Sequence, residues 1–389
     1  MTDRSGTGRG AEGSASSVRP RVLLYSQRNL FPHDVWRYPL YEFEDIIRQI
    51  DAVEMVAPLP EKRFPLGFKI AKRVARFSPF AVDPGIPRMR VPGSFDLLFV
   101  PCSLPWDLLN FNLDKDWRDR CRISVCLIDE IWVRQIPRQK TYLRILSKFD
   151  FVLLNLSRSV PAIGGLSGRP CSFLPPAVDA LRFCPHPRPP QRIIDVYSIG
   201  RRSEGTHREL LEMAEAGTLF YVYDTLLGKK AVNHKEHRDL YARMAGRSRF
   251  FLVNPGLIDD MGKRGDQSDI GNRYFEGAAA GCILIGEAPE IEEFPRLFGW
   301  PDAVIPLPFG SKGIGEIIDG FDKQPAREEA LHKENTVQSL RRHDWAYRWE
   351  ALLERVGLPP LPGLGQRKGK LEERAASIEA GTRLQDHAA

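Results

Sequence analysis

The sequence predicts an α/β protein built from two successive doubly wound, parallel-sheet halves. Three observations point there. Short apolar runs of strand length alternate with stretches of helical periodicity along most of the chain. The alternation is interrupted once by a proline-rich stretch and then restarts. A length of 389 residues suits two domains, each able to bury its own core.

Arg21–Ser26 reads as the first strand, followed by a loop of polar and aromatic residues up to Trp36. Pro39–Ile50 then carries Leu40, Phe43, Ile46, Ile47 and Ile50 on one side, which is helical spacing. Val53–Ala57, Phe95–Val100, Ile123–Ile128 and Phe151–Leu154 are further apolar runs, separated by helical stretches such as Trp117–Arg120 and Gln139–Ser147. Pro175–Pro190 holds six prolines and reads as a linker, because proline withholds a donor and stiffens the chain. Beyond it, strands are predicted at Ile193–Ile199, Leu219–Tyr223, Phe250–Asn254, Cys282–Ile285 and Ala303–Leu307, with helices at Thr206–Ala214 and Lys235–Ala245.

Composition narrows the class. A hydrophobic content of 42% with 27% charged residues is globular rather than disordered or membrane-embedded. No apolar run approaches the roughly 20 residues that span a bilayer. Residues 1–20 are Gly/Ser-rich, lack the apolar core of a signal peptide and are expected to be a disordered tail. The six cysteines show no paired metal spacing, and a cytoplasmic location is the expectation. A net charge of +6 suggests an anionic partner: a phosphate-bearing substrate or a membrane surface. No zinc-finger spacing or RNA-binding signature is present, so no nucleic acid is expected. No metal is expected either, since His234 and His237 lie three apart without a clear third ligand.

Arg273–Glu287 is the most informative stretch. It reads as a helix with Glu276 near its start, a small-residue run at Ala278–Ala280, a glycine stop at Gly281 and a buried strand. Ligands of open α/β sheets bind outside the carboxyl ends of strands, near helix N-termini. Glu276 is therefore placed to accept hydrogen bonds from sugar hydroxyls, although an Ala-rich helix with a solvated Glu276 fits the same pattern. Arg201 and Arg202 follow strand-ending Gly200, which suits a diphosphate because the guanidinium fork makes paired, charge-assisted bonds; solvated loop cations are the bland reading. Asp129 and Glu130 end the Ile123–Ile128 run, where Glu130 could hold an acceptor hydroxyl or act as a base. Acidic residues favouring a helix N-terminus remain the other reading. His33 and Asp34, in the loop after the first strand, are more simply solvated. Phe64–Phe80 interleaves Lys69, Lys72, Arg73 and Arg76 with Leu66, Ile70, Val74 and Phe77, as interfacial helices do, while a core-facing helix explains it equally.

Phe275-Glu276, Ala278–Gly281 and Ile283–Ile285 resemble the signature helix and strand of the GT-B glycosyltransferases of the group-1, retaining type. Arg273-Tyr274-Phe275-Glu276 is most similar to the bacterial spore-maturation-like branch. Pro175–Asp179 with Phe183 and Pro185, Ile194–Arg201, and His343–Trp345 with Arg348 and Leu352-Leu353 resemble further family segments in the correct order. The N-terminal half matches by rhythm alone.

The resemblance implies two Rossmann-like domains facing across a cleft. Residues 21–175 would be the acceptor-side domain, 176–190 the linker and 191–340 the nucleotide-sugar-binding domain. Residues 341–362 would be a terminal helix crossing back to the first domain, and 363–389 a mostly disordered tail. The activity implied is transfer of a sugar from a nucleotide-sugar to a hydroxyl acceptor with retention, without a cofactor. Glu276 would bind the donor ribose, and Arg201 would neutralise the leaving diphosphate, aided by Arg202, Lys263, Arg264 or Arg273 around the Gly200 turn. The family often carries a second glutamate eight positions before the first; here that position is Ser268, flanked by Asp266 and Asp269. Asp269 is the candidate to replace it, so Arg201, Asp269 and Glu130 form the expected catalytic set. A peripheral contact with an anionic membrane, at the inner face, is a further expectation. Two other readings stay open: a catalytically degenerate module that binds nucleotide or glycan, and a basic surface-binding scaffold.

Overall fold

A computed structural model describes residues 21–225 and 230–381. The tail expected at 1–20 and the last residues of the tail expected at 363–389 lie outside the described residues. The fold class is the expected one: two parallel-sheet α/β domains facing across a cleft.

The first sheet comprises β1 (Val22–Tyr25), β2 (Val53–Val56), β3 (Phe95–Cys102), β4 (Cys121–Ile128), β5 (Phe151–Leu154) and β6 (Cys171–Phe173), in the order β2-β1-β3-β4-β5-β6. Every neighbouring pair is parallel. The central strands are buried on both faces, which is why they read as unbroken apolar runs. Its helices are α1 (Tyr38–Ile50), α2 (Phe64–Phe77), the short turns α3 (Trp117–Arg120) and α4 (Lys140–Leu143), and α5 (Val160–Ser167). The run expected to be one helix at Gln139–Ser147 divides into α4 and a 3-10 segment, Arg144–Lys148.

The proline-rich stretch that was expected as a linker is packed instead. It holds the turn α6 (Ala180–Phe183), and Ala177, Val178, Ala180 and Phe183 are buried between the domains. Proline fixes the path, but the apolar residues between the prolines decide the burial.

The second sheet comprises β7 (Ile194–Ser198), β8 (Tyr221–Tyr223), β9 (Ser248–Val253), β10 (Ile283–Gly286) and β11 (Ile305–Pro306), parallel and ordered β11-β10-β9-β7-β8. Its helices are α7 (Glu204–Glu215), α8 (His234–Ala245), the turn α9 (Met261–Arg264), α10 (Asn272–Ala279), the turn α11 (Phe294–Leu297), α12 (Ile314–Asp322), α13 (Pro325–Arg342), α14 (Trp345–Arg355) and α15 (Pro362–Glu379). In α10, Gly277 lies hard against the sheet: a Cβ there would meet Leu284 Cδ2 at 2.6 Å and Phe251 Cδ1 at 2.9 Å. Gly281 ends the helix with φ of +70°, the conformation that favours glycine.

α14 returns onto α1 of the first domain. The Trp345 ring stacks on Phe43 at 4.6 Å, and Trp349 Nε1 donates to Asp51 Oδ2 at 2.8 Å. α15 overturns the expected disorder of 363–389 through residue 379. Leu364, Leu371, Ala375 and Ile378 recur at helical spacing and are buried. Arg367 adds a buried fork that donates to Asp344 and Asp179 at 2.7–2.8 Å. The charged residues between these positions hid the apolar stripe.

Candidate active site

Strand order reverses direction beside β1 in the first sheet and beside β7 in the second, and a crevice opens outside the carboxyl ends at such points. Here the two crevices face each other. One cavity of about 450 Å³ lies between Trp36, Asp129 and Glu130 of the first domain and Tyr197, Gly200, Arg273 and Glu276 of the second. A second, of about 360 Å³, shares Trp36, Asp129, Glu130, Gly200 and Arg273 and extends past Asn155, Arg201 and Asp269. Together they form one interdomain cleft.

The first domain supplies carboxylates because β4 ends in Asp129 and Glu130. Asp129 is half-buried, and desolvation raises its carboxyl to about 7, against the lowering effect of the Asn155 amide, which donates to it at 2.6 Å. Glu130 accepts from Trp132 Nε1 at 2.7 Å and keeps its place on the cleft wall. Asn155 and Asn272 each line the cleft with a buried amide oxygen that has no hydrogen-bond partner among the described residues.

Across the cleft, Gly200 turns the chain out of β7 with φ of +92°, where a side chain would be strained. Arg201 then projects onto the cleft wall, half exposed and paired with Asp259. Arg202 does not join it. Its guanidinium lies 5.0 Å from the Tyr223 ring and 3.9 Å from Asp224, and it meets Arg201 only in a small adjoining crevice.

Asp269 is buried in the loop before α10. It accepts from Gln267 Nε2 at 2.6 Å and from the Ser157 backbone N–H at 3.1 Å, a bond that crosses between the domains. Burial raises its carboxyl to about 7, with those two donors pulling the other way. Asp269 and Asp129 thus share one cleft and one titration range.

Glu276 departs most from expectation. It is fully buried, and its oxygens are already engaged. Arg238 of α8 donates to Oε1, while Tyr241 (2.9 Å) and Arg273 donate to Oε2. Burial alone would raise this carboxyl, but Arg273 and Arg238 outweigh it and hold Glu276 down at about 2. Arg273, expected at the diphosphate, is committed to this ion pair while still lining the cleft.

Lys263 lies elsewhere. It pairs with Asp260 on α9 and lines a different cavity of about 470 Å³ with Lys72, Arg76, Arg134 and Arg138. Arg264 donates to the Gln267 carbonyl at 3.1 Å. His33 bonds the Ala231 carbonyl at 3.0 Å, and His234 bonds Asp45 at 3.0 Å. No group of three or more His, Cys, Asp or Glu suited to a metal exists among the described residues.

Arg238, Tyr241, Asn155, Asn272 and Trp36 were missed from sequence. Arg238 and Tyr241 had one available signal: a basic and an aromatic residue three apart on a predicted helix of the donor-side domain. The two asparagines and Trp36 had none.

Residues 201–354 match the model of a family described as glycosyl transferase-like. The second half of the chain is therefore similar to glycosyl transferase-like domains. Among solved structures, HepE of Anabaena in complex with UDP-glucose is similar at 11% identity and a TM-score of 0.47, over 86% of this chain and 99% of that one. An α-glucosyltransferase solved with UDP-glucose and DNA containing an abasic site is similar at 11% identity and 0.47, over 87% and 99%. A UGT transferase of Siraitia grosvenorii in complex with UDP is similar at 10% identity and 0.37, over 86% and 99%. No curated protein matches the sequence. At these identities and scores the structural likenesses bear on neither substrate nor residue roles.

Proposed function

We propose that the protein is a glycosyltransferase that moves a sugar from a nucleotide-sugar to a hydroxyl acceptor, with retention, as a GT-B enzyme of the group-1 type near the spore-maturation-like branch. The observation that carries the proposal is the cleft itself. It sets a cation, the buried carboxyl of Asp269, the half-buried one of Asp129 and two unpartnered amide oxygens between two sheet ends, inside the glycosyl transferase-like region on one side. Amide oxygens without partners suit the donating hydroxyls of a sugar, since leaving such acceptors unfilled is costly.

In this reading Arg201 faces the departing diphosphate, where negative charge grows as the glycosyl bond breaks. It would exchange its present partner Asp259 for that charge. Arg273 and Glu276 form one wall of the donor site, with Glu276 acting chiefly by holding Arg273 and Arg238 in place. Glu130, or Asp129 once ionised, would receive the acceptor proton; Asp269 would sit near the donor sugar in place of the glutamate missing at Ser268. The protein's contribution is positioning and charge stabilisation.

A second reading is favoured by one observation: Glu276 has no open oxygen, and Ser268 stands where a carboxylate is expected. A module that binds nucleotide or glycan without turnover would look the same. Thermal-shift titration with nucleoside diphosphates tests both, because a ligand of the folded state raises the melting temperature. Hydrolysis or transfer from a panel of nucleotide-sugars then separates the enzyme from the binding module. Absence of any nucleotide-dependent shift would remove both readings.

A further inference from the structure

The cavity that captures Lys263 has a composition unlike the cleft's. Its walls carry five cations, Lys72 and Arg76 of α2, Arg134 and Arg138 of the 133–138 segment, and Lys263 of α9, and no carboxylate. Lys263 has Asp260 as its counterion. No carboxylate pairs with Lys72, Arg76, Arg134 or Arg138 among the described residues. Lys72 is half-buried, its ammonium 4.8 Å from the Trp106 ring and 5.0 Å from Phe68. Burial pulls its pKa down, an effect only partly opposed by Asp107. Asp107 is itself taken by Arg37, at 2.6 and 2.9 Å. Like charges gathered around a concave surface repel one another and focus a positive potential into the space they enclose.

This cavity also adjoins the cleft. Leu104 and Trp132 line the cleft, while Trp106 and Arg134, two residues further along each loop, line the basic cavity. Both domains contribute to its walls, through α2 and the 133–138 segment on one side and Gly262-Lys263 on the other.

We infer that the cavity walled by Lys72, Arg76, Arg134, Arg138 and Lys263 binds a ligand bearing two or more phosphate groups, and that this ligand is the acceptor. The second clause rests on the proposed function; the first does not. Three arginines without a carboxylate partner, Arg76, Arg134 and Arg138, offer more forks than one phosphate group can take, which suits a ligand with two or more. The phosphates could belong to a soluble molecule or to a lipid. The outer face of α2 bears on this, because Leu66, Ile70 and Phe77 are 65%, 50% and 75% exposed beside the same cations. An apolar face next to basic residues suits an anionic bilayer surface.

Calorimetric titration of inorganic pyrophosphate into the full chain tests the site. We expect R134Q/R138Q to bind it about tenfold more weakly or worse, and Arg296→Gln, at an exposed arginine that lines neither this cavity nor the cleft, to bind it as the unaltered protein does. Both changed arginines are exposed, so the fold should be kept, with unchanged thermal melting as the check; Lys263→Gln provides a second, milder variant. No pyrophosphate binding, or binding kept in full in R134Q/R138Q, overturns the inference. The sources are then distinguished by sedimentation with phosphatidylglycerol vesicles. Sedimentation abolished in L66S/I70S/F77S and in R134Q/R138Q assigns a lipid-borne phosphate, whereas pyrophosphate binding without sedimentation assigns a soluble one. Nucleotide thermal shift in R134Q/R138Q should match the unaltered protein, so failure of the glycosyltransferase reading would show separately.

Discussion

Arg238 of α8 lies between two buried carboxylates from different domains. Its Nε donates to Glu42 Oε2 of α1 at 2.8 Å, and its Nη1 donates to Glu276 of α10. Glu42 also accepts from the Asp179 backbone N–H at 2.8 Å and from Trp345 Nε1 at 3.1 Å. One guanidinium thus joins α1, the packed proline-rich stretch, the returning α14 and α10. The cleft geometry depends on it.

Removing that guanidinium should be among the most destabilising single changes in the chain. Arg238→Ala leaves Glu42 with Arg182 and Glu276 with Arg273 as their remaining cations, in a buried setting where breaking a pair typically costs about 3–5 kcal/mol. Urea denaturation should show the loss in the midpoint. A loss below about 1 kcal/mol, the range of exposed pairs, would mean that Arg182 and Arg273 suffice as counter-charges.

Glu276→Ala should lower stability and nucleotide affinity together. An open ribose-binding carboxylate could be removed with the fold intact, but a carboxylate engaged by Arg238, Arg273 and Tyr241 cannot. Glu276→Gln keeps the shape and one acceptor, so it should recover part of the stability. If Glu276→Ala melts like the unaltered protein, the ion-pair description of this residue is wrong.

The acid limb and the neutral limb of the stability curve should have opposite causes. Glu276 is held at about 2, below its ordinary 4.5, so its contribution is full above about 4.5 and is lost as pH falls towards 2. That contribution is on the order of 3 kcal/mol. Asp129 and Asp269 are raised to about 7 from 3.8, so the folded state holds their protons more tightly than the unfolded chain. Their contribution is full below about 3.8 and is lost as pH rises through 7. Asp129→Asn and Asp269→Asn should each flatten the decline between pH 4 and 7, measured by denaturation at a series of pH values. A decline unchanged in both variants would assign it to other groups.

Arg201→Ala should lower the turnover rate more than the ground-state affinity for the donor. Arg201 is paired with Asp259, so part of its binding energy is spent on breaking that pair. Only interactions stronger in the transition state speed the chemical step. Measuring kcat and the donor dissociation constant separately decides it. Equal losses in both would make Arg201 a uniform binding contact, and no change would put the diphosphate elsewhere.

Gly277→Val should destabilise by about 1–3 kcal/mol, the usual cost of overpacking, because even a Cβ meets Leu284 and Phe251 inside contact distance. Ala278, at the next position on the helix, is also buried, so the comparison of Gly277→Val with Ala278→Gly separates overpacking from lost packing. Thermal melting of both variants measures it.

What the sequence determined by itself was the rhythm of the chain and the points where it turns. Buried parallel strands need apolar residues on both faces, so β1, β3, β4, β5, β9 and β10 announce themselves as runs, and Gly200 and Gly281 mark turns that only a residue without a side chain takes without strain. It also placed Asp129, Glu130, Arg201 and Asp269 at strand ends and loops that do reach the cleft. The partners of each charge were decided by tertiary structure alone. Glu276 reads the same in sequence whether its carboxylate is open or spent, because Arg238 and Tyr241 reach it only once α8 and α10 pack together, and Arg273, three residues before it on the same helix, is the one local partner. Lys263 joins a basic cavity through α2 and the 133–138 segment, which are distant in the chain. The apolar stripe of α15 is sparse among charges, and becomes decisive only when α13 and α1 provide the surface that buries it. Local patterns encode which backbone forms, whereas electrostatic pairing and burial depend on distances that no local pattern contains.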